Sequence, residues 1–246
     1  MTAITGHRGC HGLWPENSLT GFREAAKLGC DAIEFDVHLT RAGELIVIHD
    51  PTLERTTEGT GEVAALLPED RADTRLKDSI ETIPTLDDVL EVLAPSGVNL
   101  HVEIKRDAAG HGYPGISGLV ADRLKAHGVA ARSHLTSFDI TALKECQRLN
   151  PEIRRLVSAD AAWVDKHGGL EAFLADAADL ADIVALRHDY FFEVFDQVTQ
   201  LWPKDRLCVW TINTPDLVRE WLSRGIGHLT TDDPALALML RTETAK

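Results

Sequence analysis

Glu34, Asp36 and Glu103 are the side chains with the strongest claim to chemistry. The first two lie in Asp31-Ala-Ile-Glu34-Phe-Asp36-Val37, an apolar run after the stop signal Leu28-Gly29 that reads as a strand. Side chains alternate along a strand, so Glu34 and Asp36 share a face, roughly 6–7 Å apart along the rise. The same alternation in Asn99-Leu-His101-Val-Glu103-Ile-Lys105 puts His101, Glu103 and Lys105 on one face. Carboxylates on an apolar strand are costly to bury unless a cation meets them. A hard divalent cation, Mg²⁺ or Ca²⁺, prefers such oxygen ligands. The plain alternative is a solvated acidic face, and the strand taken alone does not choose. Arg8 and Lys105 are natural partners for a phosphate, one as a fork and one as a point charge. His7 and His49 suit proton exchange near neutral pH. Cation, phosphate clamp and paired imidazoles together describe the cleavage of a phosphodiester. The positive charges would neutralise a pentacoordinate phosphorus, and the imidazoles would serve nucleophile and leaving group.

These residues are far apart in sequence, so a fold must gather them. Ala3 to Arg8 reads as a first strand and Gly9 to Asn17 as a loop. A helix follows, capped by Asn17 or Ser18 and stopped by Gly29. After the strand at 31–37, Arg41-Ala-Gly43-Glu44 turns into a strand-like run, Leu45 to His49. Residues 50–83 are irregular and read as a rim insertion, too short for an independent core. A helix opens at Pro84-Thr85-Leu86, with Thr85 and Asp88 in capping-box spacing. Strands at 99–104, 133–137, 153–158, 182–187, 206–212 and 228–232 then alternate with helices. The stretch 157–180 leaves room for two short ones. Leaving the hairpin aside, the chain reads as eight strand–helix units in 246 residues. That pattern predicts an α/β fold, a single (β/α)₈ TIM barrel spanning 1–246 with a small insertion after the second strand.

Such barrels carry their sites at the C-terminal ends of the strands. There the sequence places His7-Arg8, Glu34 with Asp36, His49-Asp50, Glu103 with Lys105, Trp210-Thr-Ile-Asn213 and Thr231-Asp232. Trp210 and Asn213 are expected to shape the mouth and contact substrate. The blander readings are plain. The chain has eleven histidines, and His127, His167 and His228 read as surface residues. His101 sits one layer below Glu103, which suits a supporting, hydrogen-bonding role. Arg8 and Lys105 could simply pair with Glu34 and Glu103. Cys10-His11 offers a thiol nucleophile that no motif supports.

Apolar residues make up 44% of the chain, enough for a substantial core, and charged residues 26%. The net charge of −14 argues against nucleic acid or an anionic membrane as partner. A phosphate-bearing substrate would need local positive charge. The amino terminus lacks a basic and apolar export signal, and no apolar run is long enough to span a bilayer. The four cysteines show no CxxC spacing, which points to reduced thiols in a cytoplasmic protein.

His7-Arg8-Gly9, Pro15-Glu16-Asn17-Ser18, Glu34-Phe-Asp36-Val37, His49-Asp50 and Arg55-Thr56-Thr57 occur in that order. Ile83-Pro84-Thr85-Leu86, Glu103-Ile-Lys105, Ser137-Phe138, Trp210-Thr-Ile-Asn213 and Thr231-Asp232-Asp-Pro234 follow. The ordered set resembles the glycerophosphodiester phosphodiesterase family over nearly the whole chain. The resemblance implies a TIM barrel with one divalent metal on Glu34, Asp36 and Glu103. It implies acid–base catalysis by His7 and His49, and phosphate contacts from Arg8 and Lys105. It further implies hydrolysis of small glycerophosphodiesters, such as glycerophosphocholine or glycerophosphoethanolamine, to sn-glycerol 3-phosphate and an alcohol. Departures are mild: Ser18 stands where the family usually has Thr, and Ala42 where it has an acid. Lysophospholipid cleavage is the nearest rival and needs an apolar groove. The insertion offers only Val63, Ala64, Ala65, Leu66 and Leu67 for one. A non-catalytic binding barrel would be expected to have lost one of the seven functional positions, and all are filled. An amidohydrolase would show a His-x-His strand, which is absent.

Overall fold

A computed structural model describes residues 1–244. Its strands are β1 (Ala3–Gly6), β2 (Ala32–Leu39), β3 (Leu45–Val47), β4 (Asn99–Ile104), β5 (Ser133–Ser137), β6 (Arg154–Ala159), β7 (Ile183–Arg187), β8 (Leu207–Trp210) and β9 (His228–Thr231). All but β3 run parallel and close into a barrel, in the order β1-β9-β8-β7-β6-β5-β4-β2 with β1 pairing β2. β3 lies antiparallel on β2, with Val37 opposite Val47. The helices are α1 (Leu19–Leu28), α2 (Pro68–Asp73), α3 (Leu86–Leu93), α4 (Ile116–Ala126), α5 (Ile140–Leu149), α6 (Ala161–Lys166), α7 (Leu170–Ala178), α8 (His188–Leu201), α9 (Pro215–Ser223) and α10 (Pro234–Thr244). The sequence therefore folds as the expected (β/α)₈ barrel, and the stretch after β6 holds two short helices. Among the described residues, no helix is long and apolar enough to cross a membrane.

Local chemistry explains the elements that carry the site. Ser18 caps α1 by accepting from the Gly21 amide, and Gly29 ends it in the left-handed region at φ +82°. Thr85 and Asp88 form the capping box that starts α3. Outward-facing Ile33, Phe35 and Val37 of β2 are fully buried under the helices. Two large apolar clusters result. One joins α1, β2, α3, β4 and α4 and reaches β5, and the other lies mainly over β6 to β9 and their helices. Residues 50–83 add only α2, a 3₁₀ turn and loops, anchored on a small cluster of Ile46, Ile48, Leu53, Val63, Leu66, Leu76 and Ile83.

Several strands stop earlier than their apolar runs suggest. β1 ends at Gly6, where an added Cβ would stand 2.3 Å from the Gly9 carbonyl oxygen. The chain doubles back there so tightly that only glycine fits, which puts His7 and Arg8 on the loop. β3 ends at Val47, leaving His49 and Asp50 beyond the strand. Reactive side chains on loops held by a rigid barrel are what this architecture provides.

Candidate active site

Parallel register stacks the inward-facing residues in layers. Asp36 lies beside Glu103 and, one layer below, Glu34 lies beside His101. Glu34, Asp36 and Glu103 thus converge, each offering an oxygen within 4.8 Å of the others. Lys105 Nζ stands 2.9 Å from Glu103 Oε1 and 3.3 Å from Asp36 Oδ1. Arg8 Nε stands 3.4 Å from Asp36 Oδ2, and the Arg8 amide donates to Glu34 Oε2 at 3.1 Å. Asn17, expected as a possible helix cap, instead donates Nδ2 to Asp36 Oδ2 at 2.9 Å. Arg8 and Asn17 both adopt the left-handed region, at φ +49° and +57°, a strained conformation for residues with a side chain.

Charge in this cluster is not balanced. Glu34 Oε1 is buried without a hydrogen-bond partner. Burial, then the neighbouring Asp36 and Glu103, hold the Glu34 carboxyl well above the usual carboxylate range. Burial works in the same direction on Asp36, but Lys105, His49 and Arg8 outweigh it and keep that carboxylate ionised. A buried carboxyl lacking a partner beside two more acids is a donor set short of positive charge. An oxygen-seeking divalent cation fits it. Arg8 and Lys105 do pair with carboxylates, as the blander reading had it, though Arg8 takes Asp36 and Glu16 and Lys105 takes Asp36 and Glu103.

The two imidazoles are held alike. His7 Nδ1 donates to Asp232 Oδ1 at 2.6 Å, and His49 Nδ1 donates to Asp50 Oδ1 at 2.6 Å. Each partner fixes the tautomer and leaves Nε2 available, the arrangement that lets a histidine exchange a proton at a defined atom. His7 Nε2 lies 3.9 Å from Glu34 Oε2. Burial, helped by Lys105 and Arg8, lowers the His49 pKa against the pull of Asp36 and Asp50. Asp50 is itself pulled down to about 2 by its bond to Arg55 and then by His49.

Several of these groups line one cavity of about 260 Å³. His7, Arg8, Glu34, His49, Glu103 and Lys105 form its charged wall, and Phe138, Leu156, Ala185, Cys208 and Trp210 face them. Trp210 thus stands where it can touch a substrate. Asn213 does not line this cavity; it grips Asp232, donating Nδ2 to Oδ2 at 2.5 Å and accepting from the Asp232 amide at 2.9 Å. His101 is buried, with its ring against His134 and His228 at centroid distances of 5.2 and 6.2 Å. His228 is therefore not a surface residue but half-buried at the base of β9, because the start of that strand points its side chain into the barrel. His127 bonds Asp87 and His167 bonds the Trp163 carbonyl, both in the helical layer. Cys10 is buried and its thiol is pushed up to about 11, chiefly by burial, which disfavours a thiolate.

Sequence reading missed the roles of Glu16, Asn17, Asp50, Arg55 and Asp232, although all five sit within the quoted motifs. An acid next to a histidine just past a strand end was the available signal for Asp50. Nothing in the local spacing indicated that Asp232 would meet His7, 225 residues earlier.

A parallel barrel with an acidic cluster and two aspartate-held imidazoles at its mouth has the form of a TIM-barrel hydrolase. The model of the glycerophosphoryl diester phosphodiesterase family matches residues 7–236. The chain belongs to that family and is a hydrolase of phosphoric diesters. It is 29% identical to a glycerophosphodiester phosphodiesterase of Caldanaerobacter subterraneus over 97% of each chain. A putative glycerophosphoryl diester phosphodiesterase of known structure from Agrobacterium tumefaciens superposes with a TM-score of 0.91 at 27% identity, covering 100% and 99% of the two chains. A phosphodiesterase from Oleispira antarctica, solved with its product sn-glycerol-3-phosphate, superposes at 0.79 with 24% identity over 98% and 96%.

Proposed function

We propose that this cavity hydrolyses small glycerophosphodiesters, such as glycerophosphocholine or glycerophosphoethanolamine, to sn-glycerol 3-phosphate and the free alcohol. One observation carries the reading: three convergent carboxylates, one with an orphaned oxygen, meet at a cavity lined by two imidazoles, each held at Nδ1 by an aspartate. Glu34, Asp36 and Glu103 would hold one divalent cation, Mg²⁺ or Ca²⁺, which when bound supplies charge neutralisation at the phosphoryl oxygens. Arg8 and Lys105, which line the cavity beside these carboxylates, would bind the phosphate. One imidazole takes the proton of the glycerol 2-hydroxyl as its oxygen attacks phosphorus. The other gives a proton to the departing alkoxide. Water then opens the cyclic phosphate with the roles reversed. Trp210 packs on the carbon side of the substrate, and Asn213 serves His7 through Asp232.

The product named for the Oleispira antarctica protein supports this substrate class. So does the rim: Val63, Ala64 and Leu66 are buried and leave Ala65 and Leu67 exposed, a poor groove for an acyl chain. Leu13 and Trp14, on the loop after β1, are exposed apolar exceptions. The chain is read as one domain, with residues 50–83 as its rim and a small molecule as its partner. Four free, buried cysteines support a cytoplasmic setting. The test is release of sn-glycerol 3-phosphate from glycerophosphocholine, with and without EDTA, in parallel with lysophosphatidylcholine. No release from the former, or release that EDTA leaves untouched, would overturn the reading.

A further inference from the structure

Arg55 lies in the rim segment that adds no strand to the barrel, and its side chain is 47% exposed. An arginine so open to water needs no protein partner, yet this one forks onto two carboxylates. Its Nε reaches Asp50 Oδ2 at 2.5 Å and one terminal nitrogen reaches Asp50 Oδ1 at 3.0 Å. The terminal nitrogens also reach the two oxygens of Glu16, each at 2.8 Å. Asp50 is the carboxylate that holds His49. Glu16, only 4% exposed, is the carboxylate that holds the Arg8 guanidinium at 3.0 Å. A carboxylate as buried as Glu16 persists only with its cations in place.

We propose that Arg55 is a positioning residue that sets both the His49 imidazole, through Asp50, and the Arg8 phosphate clamp, through Glu16. The segment 50–83 then has a task beyond shaping the rim: it delivers one planar fork that ties proton transfer to phosphate binding. The inference rests on the phosphodiesterase reading, in which His49 and Arg8 act on the substrate. Lysine cannot replace the residue, because a single ammonium cannot meet both oxygens of Asp50 and both oxygens of Glu16 as the guanidinium does.

The test is a pair of double-mutant cycles. Arg55→Gln should lower kcat by about 10- to 100-fold and raise KM, the range seen when a partner that orients an active group is lost. In an Asp50→Ala background its effect on kcat should shrink to less than about threefold, and in a Glu16→Gln background its effect on KM should shrink likewise. Arg55→Lys should stay close to Arg55→Gln, and it takes that variant's place in both cycles if Arg55→Gln fails a circular-dichroism check of folding. Losses that simply multiply, or kinetics within about twofold of the parent, would mean that Arg55 only staples the rim. Proton NMR separates this from a failure of the phosphodiesterase reading. The Nδ1 proton of His49, held in its short bond to Asp50, should broaden or vanish in Arg55→Gln whether or not a glycerophosphodiester is turned over. An unchanged resonance overturns the proposal.

Discussion

The two halves of the barrel interior are built from different chemistry. On β1, β2 and β4 and the loops that follow them, the inward positions carry Glu34, Asp36, Glu103 and Lys105, with His7 and Arg8 beyond β1. On β6, β7 and β8 the inward positions include Leu156, Ile183, Ala185 and Cys208, a separate apolar cluster with Trp210 packed against it, and one neutral hydroxyl, Ser158. The outer faces of both halves are apolar and buried under helices. Charge is therefore confined to one inner arc, where ionised groups face one another across a short gap. The opposite arc supplies a largely apolar wall, whose low dielectric strengthens those interactions. Activity should track the first arc and stability the second.

Substituting either imidazole is the severest way to test that division. His49→Ala or His7→Ala should cut turnover of glycerophosphocholine by about 10²- to 10⁴-fold with little change in melting temperature. Full activity in either variant would remove that residue from the chemistry. Ile183→Ala, on the opposite arc but outside the cavity lining, should do the reverse. It should cost about 2–5 kcal/mol in denaturant unfolding, while kcat of the folded fraction stays close to that of the parent. A kcat loss as large as the histidine variants show would abolish the contrast.

Asp232→Asn tests how much of the charged arc is orientation. It leaves the His7 ring in place but offers it the wrong partner, and a loss of about 10- to 100-fold in kcat is expected. The smallest effect belongs to Glu34 in metal-free protein. A carboxyl whose folded pKa is raised binds protons more tightly when folded, so its stability contribution is greatest at low pH. That contribution is lost as pH rises from the unfolded value through the folded one. Glu34→Gln should therefore raise the melting temperature of the metal-free protein at neutral pH and abolish the gain on adding Mg²⁺ or Ca²⁺. A destabilised variant would show that Glu34 is already satisfied without a cation.

Much of this molecule can be read along the chain. β4 and β5 fall at the residues expected for them, because strand alternation and flanking turn residues are local signals. Glu34, Asp36, Glu103 and Lys105 could be placed on shared faces because alternation is a local property of a strand. His228 could not be placed, since its half-buried position depends on which way the short β9 faces after the barrel closes. Glu16 and Arg55 were equally opaque: an acid and a base in separate loops 39 residues apart carry no mark of their pairing.

The sequence by itself determined which groups were available and that eight strand–helix units would bring their carboxyl-terminal ends to one rim. Periodicity, caps and turn residues act over a few residues, so they can be read without the fold. Closure and register decided the rest. They set Asp36 beside Glu103, brought Asp232 to His7, hung Asp50 and Glu16 on one guanidinium, and left Glu34 Oε1 without a partner. Such pairings join parts of the chain that meet only when the sheet closes on itself, and their strength comes from burial that no local pattern records.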